Sequence, residues 1–96
     1  MIEVRETPEL RAWLTGLRDP QAVARIAARI RRLAFGNPGD VKPVGGGLSE
    51  LRIDYGPGYR VYFVRRGAAL IVVLGGGDKT TQARDIRQAK ALAEKL

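Results

Sequence analysis

Cysteine and histidine are both absent from this chain of 96 residues. Without thiols the protein has no disulfides, iron–sulfur clusters or thiolate zinc sites, and without imidazole it lacks the commonest general base and metal ligand. The count therefore excludes Ser-His-Asp and Cys-His nucleophiles, histidine-based zinc proteases and ribonucleases that depend on histidine. Proton transfer in any active site would have to use Arg, Lys, Tyr, Asp or Glu.

Long apolar runs are missing as well. The longest, at residues 68–74, is too short to span a bilayer, and the first nine residues carry three acids instead of a basic and then apolar leader. We therefore expect a cytoplasmic protein with no membrane partner. A length of 96 residues with 45% hydrophobic composition suits one core, so residues 1–96 are predicted to form a single domain.

The charge is strongly positive. Lys and Arg outnumber Asp and Glu by 17 to 10, which gives a net charge of +7, and most of the surplus follows residue 40. Arg supplies 13 of the 17 basic residues, and its planar guanidinium grips phosphate through paired hydrogen bonds. This balance indicates a polyanion as partner, bound by the second half of the chain. The alternative explanation is the Arg-rich bias of a GC-rich genome.

Local sequence patterns predict two helices in the first half of the chain and most of the strands in the second half. Residues 2–5 are predicted to form a short strand. Two helix starts follow it: Thr7-Pro8 and Asp19-Pro20 each combine an N-cap residue with proline at the first helical position. They predict a hairpin of two amphipathic helices, which would pack on one face of a sheet and leave its other face polar. A last helix follows Thr81, and the sheet strands are predicted at residues 41–44, 48–54, 59–66 and 68–74.

Strand alternation places Arg52, Arg60 and Tyr62 on the polar face of two adjacent strands. Like charges on neighbouring strands are destabilising unless an anion shares them, so the pattern favours a functional role. The alternative is that Glu50 and Asp54 neutralise both arginines in ordinary cross-strand pairs. Glu50 is equally a candidate for proton transfer.

Lys79 follows three glycines and Asp78, just before the last helix. The phosphate-binding P-loop needs glycine at the positions that Asp78 and Val73 occupy, so we exclude a nucleotide site of that kind. The free N–H groups of the helix N-terminus beside Lys79 predict a simpler anion site. The alternative is that Lys79 is a solvated loop residue.

The remaining candidates lie in the first helices and in a turn. A row of arginines at helical spacing is interpreted as a solvated face, with docking of an acidic partner or ribosomal RNA as the alternative; these are Arg25, Arg29 and Arg32. Trp13 belongs to an apolar helical stripe and is predicted to lie in the core. Tyr55, in a turn with Gly and Pro, is the candidate for base stacking.

Three segments together resemble the RelE/ParE superfamily of toxins, and within it the HigB-like addiction-module killer proteins. They are Gly47-Leu48-Ser49-Glu50-Leu51-Arg52, Gly58-Tyr59-Arg60-Val61-Tyr62-Phe63 and Leu74-Gly75-Gly76-Gly77-Asp78-Lys79-Thr80-Thr81-Gln82. The resemblance covers nearly the whole chain. It implies an α+β fold of the RelE type: an N-terminal strand and a two-helix hairpin packed on a mostly antiparallel sheet of four or five strands, with a short C-terminal helix.

The resemblance also implies a function, that of the toxin in a type II toxin–antitoxin system. Many members of the superfamily cut mRNA in the ribosomal A site, without metal or cofactor, by attack of the ribose 2′-hydroxyl on the adjacent phosphate. Translation and growth then stop. The implied partners are the ribosome, mRNA and a HigA-like antitoxin with a helix-turn-helix domain, through which the complex reaches operator DNA. A ParE-like inhibitor of DNA gyrase is the alternative function, and a degenerate toxin kept as a co-repressor is a third.

Residue by residue, the resemblance implies that Arg60 contacts the scissile phosphate, that Lys79 is the basic residue after the last strand and that Arg52 is a further phosphate ligand. No tyrosine or histidine follows Tyr62, although relatives use one of the two there. The general base is thus left between Lys79 and Glu50. The residues expected to bind substrate are Lys42, Tyr55, Tyr62, Thr80 and Gln82.

Overall fold

Two helices that begin with proline follow a short N-terminal strand. In a computed structural model that describes every residue of the chain, β1 (Glu3–Glu6) leads into α1 (Pro8–Gly16) and α2 (Pro20–Leu33). The side chains of Thr7 and Asp19 accept hydrogen bonds from backbone N–H groups in the first turns of α1 and α2. The predicted helical hairpin and its two start signals are therefore confirmed.

The rest of the chain forms a meander of four strands and a final helix. The sheet has the order β1-β5-β4-β3-β2, in which β1 is parallel to β5 and every other neighbouring pair is antiparallel. None of the helices is both long and apolar enough to cross a membrane. The α+β class is confirmed, with five strands; the later elements are β2 (Val41–Gly45), β3 (Leu48–Ile53), β4 (Tyr59–Arg66), β5 (Leu70–Asp78) and α3 (Gln82–Glu94).

Both faces of the sheet are packed. The main core lies between the sheet and the α1–α2 hairpin, where Trp13 is partly buried as predicted. A second apolar cluster covers the opposite face, formed by β3, β4, β5 and Ala89 of α3. The prediction of a polar second face is therefore wrong over the part that α3 covers. Tyr62 lies in this cluster with 0% exposure, so its expected contact with substrate does not fit its position.

The last strand is longer than the sequence predicts, because β5 continues through all three glycines to Asp78. A Cβ atom on Gly76 would clash with the ring of Trp13, and one on Gly77 would clash with the carboxylate of Asp85. The helices α1 and α3 thus approach the backbone of β5 from its two faces. Gly76 and Gly77 are needed for this close approach, and none of the three glycines marks a loop.

We expect Gly77→Ala to lower the free energy of unfolding by at least about 2 kcal/mol, because the added methyl group must displace the buried Asp85. Gly75→Ala is the matched control, since its methyl group would meet no atom within 4 Å. Urea unfolding followed by circular dichroism measures both. Equal midpoints for the two variants would show that the close approach of α3 is not what requires glycine.

Candidate functional site

The register of the strands places charged residues in a row across the end of the second face that α3 leaves open. Arg52 on β3 pairs with Arg60 on β4. On the other side, the backbone N–H of Arg52 donates a hydrogen bond of 3.0 Å to the carbonyl of Asp40, which therefore lies opposite Arg52 just before β2. Two guanidinium groups thus lie on neighbouring strands, on the face that alternation predicts.

These arginines open onto a cleft of about 280 Å³ that Lys79 completes from the end of β5. Gly58 shows how closely the cations converge: a Cβ atom there would lie 3.2 Å from Cδ of Lys79 and 3.5 Å from Nη1 of Arg60. The φ angle of Gly58 is +81°, which favours glycine in any case. The structure therefore brings the three expected catalytic residues together; the other residues that line the cleft are Asp40, Ile53, Asp54 and Gly58.

The guanidinium of Arg60 lies beside a buried carboxylate, that of Glu50. Its Nε lies 3.6 Å from Oε1 of Glu50, whose side chain is 1% exposed, and its Nη1 donates hydrogen bonds to the carbonyls of Gly58 and Tyr59. The second oxygen of Glu50 accepts a hydrogen bond of 2.5 Å from Nε2 of Gln82. Glu50 and Gln82 therefore position Arg60 from inside the protein. Neither residue lines the cleft, which does not fit a proton-transfer role for Glu50 or substrate contact by Gln82 in this cleft.

The other two cations are not neutralised within the chain. No carboxylate lies within salt-bridge distance of Arg52 or Lys79. The alternative in which Glu50 and Asp54 neutralise both arginines thus holds only for the Glu50–Arg60 pair. Three cations and two carboxylates line the cleft, and two of the cations have no ion-pair partner within the chain. The cleft therefore has the chemistry of an anion site, and guanidinium groups form paired hydrogen bonds with phosphate as they do with carboxylate.

The same burial that covers Tyr62 also changes its acidity. Its hydroxyl is buried without a hydrogen-bond partner. Burial, assisted by the negative charge of Glu50, raises the pKa of Tyr62 well above its usual value. At neutral pH Tyr62 therefore stays a neutral phenol within the second apolar cluster.

The anion site predicted at the last helix N-terminus is already filled by the protein's own carboxylate. Asp78 accepts hydrogen bonds from the backbone N–H and the hydroxyl of Thr80, at 2.8 and 2.6 Å. These bonds, the one from the Thr80 side chain above all, lower the pKa of Asp78. Lys79 starts a single 3-10 turn, and α3 begins only at Gln82. Asp78 thus caps the turn beside Lys79 and engages Thr80, so the N-terminus next to Lys79 is not free as predicted; the N-cap residue of α3 itself, Thr81, makes no side-chain capping bond.

Lys42 lies outside the cleft but on the same face. It is exposed on β2 and pairs in register with Glu50, one row away from Arg52. Edge strands often carry lysine because its charge discourages pairing with other chains. Its position leaves substrate binding by Lys42 a prediction.

Tyr55 fastens the turn between β3 and β4 to the start of α2. Its hydroxyl donates a hydrogen bond of 2.9 Å to Oδ2 of Asp19, and the guanidinium of Arg25 lies 4.7 Å from its ring centroid. The hydrogen bond raises the pKa of Tyr55 and lowers that of Asp19. With one ring face covered by Arg25, Tyr55 serves as a structural tie, which does not fit the expected base stacking.

One arginine of the row on α2, Arg29, binds the backbone of segments that line the cleft. Nη1 of Arg29 donates to the carbonyl of Arg52 at 2.7 Å, and Nη2 donates to the carbonyls of Pro38 and Asp40 at 3.0 and 2.9 Å. Burial lowers the pKa of Arg29. The prediction of a solvated face is therefore wrong for Arg29. Helical spacing identified the row, but the backbone carbonyls that Arg29 binds come from distant segments and leave no signal in the sequence.

Comparison with known proteins agrees with this architecture. Residues 12–96 match the family model for phage derived protein Gp49-like (DUF891). An uncharacterized protein of Haemophilus influenzae is 50% identical over 95 residues, which are 99% of this chain and 96% of the relative. A chain in the crystal structure of the toxin–antitoxin complex RelBE2 from Mycobacterium tuberculosis aligns with 81% of this chain and 98% of its own length, at a TM-score of 0.64 and 22% identity. That likeness confirms the RelE-type fold.

We expect Glu50→Gln to lower the free energy of unfolding by about 3 kcal/mol, because it leaves the charge of Arg60 without its buried partner. Glu94→Gln, at an exposed position near the end of α3, is the matched control for loss of one negative charge. Chemical denaturation at neutral pH compares the two. If Glu50→Gln unfolds at the same midpoint as Glu94→Gln, the buried pair does not hold Arg60 in place.

Proposed function

The chain belongs to the Gp49-like (DUF891) family of phage-derived proteins, and on that basis we propose that it is a RelE-type toxin that cuts mRNA on the ribosome. The proposal places it in the HigB-like branch, as the toxin of a type II toxin–antitoxin system. The single observation that carries the proposal is the cleft in which Arg52, Arg60 and Lys79 meet. The RelE-type fold supports it but does not by itself specify an activity.

The proposed reaction uses charge and position. Attack of a ribose 2′-hydroxyl on the adjacent phosphorus places additional negative charge on the phosphate oxygens in the transition state. Cations that are fixed before the reaction stabilise that charge without reorganising. Arg60 is oriented in advance by Glu50, at 3.6 Å, and by two backbone carbonyls. Arg52 and Lys79 have no internal partner to lose when RNA binds.

The lack of aromatic side chains in the cleft supports dependence on the ribosome. No aromatic side chain lines the cleft, whereas proteins that hold single-stranded RNA unaided usually stack bases on aromatic rings. Tyr55 is tied to α2, and Tyr62 is buried. The cleft can thus bind the RNA backbone but offers no aromatic ring on which a base could stack. In the proposal, the ribosome presents the mRNA in the required conformation, in the cytoplasm.

The proposed regulator is an antitoxin. The related fold is found in a structure described as the toxin–antitoxin complex RelBE2, and we extend that arrangement to this chain. A net charge of +7 would favour an acidic partner segment that competes with RNA for the cations. The antitoxin is proposed to be HigA-like, with a helix-turn-helix domain through which the complex reaches operator DNA.

We expect Lys79→Ala and Arg52→Ala each to abolish growth arrest and to slow cleavage of ribosome-bound mRNA by at least about 100-fold, because each removes a cation from the transition state. Lys95→Ala, at the exposed far end of α3, should behave like the wild type. Growth after induction and mapping of transcript 5′ ends are the two measurements.

Two results would count against the proposal. One is cleavage by Lys79→Ala at the rate of Lys95→Ala, which would remove the cleft from the chemistry. The other is growth arrest by the wild-type protein with intact transcripts and an induced DNA-damage response, which would identify DNA gyrase as the target instead.

A further inference from the structure

The cleft contains cations to bind a phosphate, but its proton acceptor has not been identified. Glu50 is sequestered behind Arg60 with 1% exposure, and the ammonium group of Lys79 offers only donors. Two other carboxylates line the cleft, those of Asp40 and Asp54, and both residues are exposed. Neither carboxylate forms an ion pair within the chain. They are the two side chains lining the cleft that can accept a proton.

Position distinguishes the two carboxylates. Asp40 lies at the outer edge, where Nη2 of Arg29 binds its carbonyl at 2.9 Å, so the charge of Arg29 already faces that residue. Asp54 directly follows β3, in a turn closed by a hydrogen bond of 2.9 Å from the Tyr55 N–H to the Ile53 carbonyl, and it lines the cleft with Arg52. The pairing of Ile53 with Tyr59 brings Asp54 beside Gly58.

Gly58 is also the point on which the other cleft cations converge. Nη1 of Arg60 and Cδ of Lys79 both lie within 4 Å of the position that a Gly58 Cβ would occupy. Asp54 is therefore the carboxylate at the end of the cleft where Arg60 and Lys79 meet. A phosphate held by these two cations would lie at the Asp54 end of the cleft.

We propose that Asp54 is the general base of this site; the inference rests on the proposed ribonuclease function. The proton of the ribose 2′-hydroxyl passes to the Asp54 carboxylate while the 2′-oxygen forms a bond to phosphorus. The bond from phosphorus to the 5′-oxygen breaks, and that oxygen leaves with a proton from the Lys79 ammonium group. The products are a 2′,3′-cyclic phosphate and a 5′-hydroxyl end. Both side chains then exchange protons with water, which their exposure allows.

The test is Asp54→Asn, measured as single-turnover cleavage of a short mRNA bound to the ribosome. We expect the rate to fall by at least about 100-fold. Binding of the mRNA complex should be unchanged or tighter, since the substitution removes a negative charge from a cleft lined by cations.

Asp40→Asn is the matched control, because it removes the same charge from the same cleft. Its rate should fall much less than that of Asp54→Asn, whereas Glu94→Gln, at an exposed position near the end of α3, should cleave like the wild type. Asp54→Glu keeps the carboxylate and should recover part of the rate. Circular dichroism and thermal unfolding check that each variant folds, and Asp54→Glu supplies the comparison if Asp54→Asn does not.

Each outcome has a definite meaning. If the wild type cleaves and Asp54→Asn cleaves equally fast, Asp54 is not the base, and the proposed function stands without it. If Asp40→Asn is the variant that loses the rate, the base is Asp40 and the assignment to Asp54 is overturned. If Asp54→Asn loses cleavage only because it no longer binds the complex, Asp54 is a binding residue. If the wild type does not cleave RNA at all, both the inference and the proposed function fail.

Discussion

A buried ion pair between Arg60 and Glu50 determines what the open end of the sheet can do. Glu50 is 1% exposed, and its second oxygen is occupied by the amide of Gln82 at the start of α3. Buried pairs of this kind add little net stability compared with apolar packing, but they fix geometry because separating the charges is costly. The pair holds Arg60 beside the cleft and occupies the buried carboxylate on this face. The two carboxylates that line the cleft, those of Asp40 and Asp54, form no ion pair with Arg52 or Lys79. Arg52 and Lys79 are left to an external anion.

The position of Lys79 depends on Gly77, where α3 packs against β5. A bare backbone at Gly77 lets Asp85 approach β5, and Asp85 accepts a hydrogen bond of 2.5 Å from the hydroxyl of Thr81. That contact, together with the Asp78 cap on Thr80, stabilises the turn that carries Lys79. Gly77 therefore allows α3 to pack on the second face of the sheet and also helps to place the ammonium group of Lys79.

Local rules predicted the order of the helices and strands and the placement of Arg52 and Arg60 on one face, while the family resemblance implied that Lys79 belongs to the same site. Caps followed by proline mark both early helices, and period-two alternation places the two arginines on one face. Other features depend on contacts between distant segments. The sequence does not show that α3 covers Tyr62, that β5 continues through three glycines or that Arg29 reaches the carbonyl of Arg52. Glycines usually weaken or end strands. The close approach of α1 to Gly76 and of α3 to Gly77 explains why the strand continues through these residues.

The central claim is that this cleft holds an RNA backbone while the ribose 2′-oxygen attacks the phosphate beside it. The most direct measurement is cleavage of a ribosome-bound mRNA that carries one 2′-deoxynucleotide on the 5′ side of the scissile phosphate. The account predicts that this mRNA binds like the all-ribose message but stays intact at that position, while the all-ribose message is cut there. Cleavage of the deoxy-substituted mRNA at the same position, or of neither message, would contradict it.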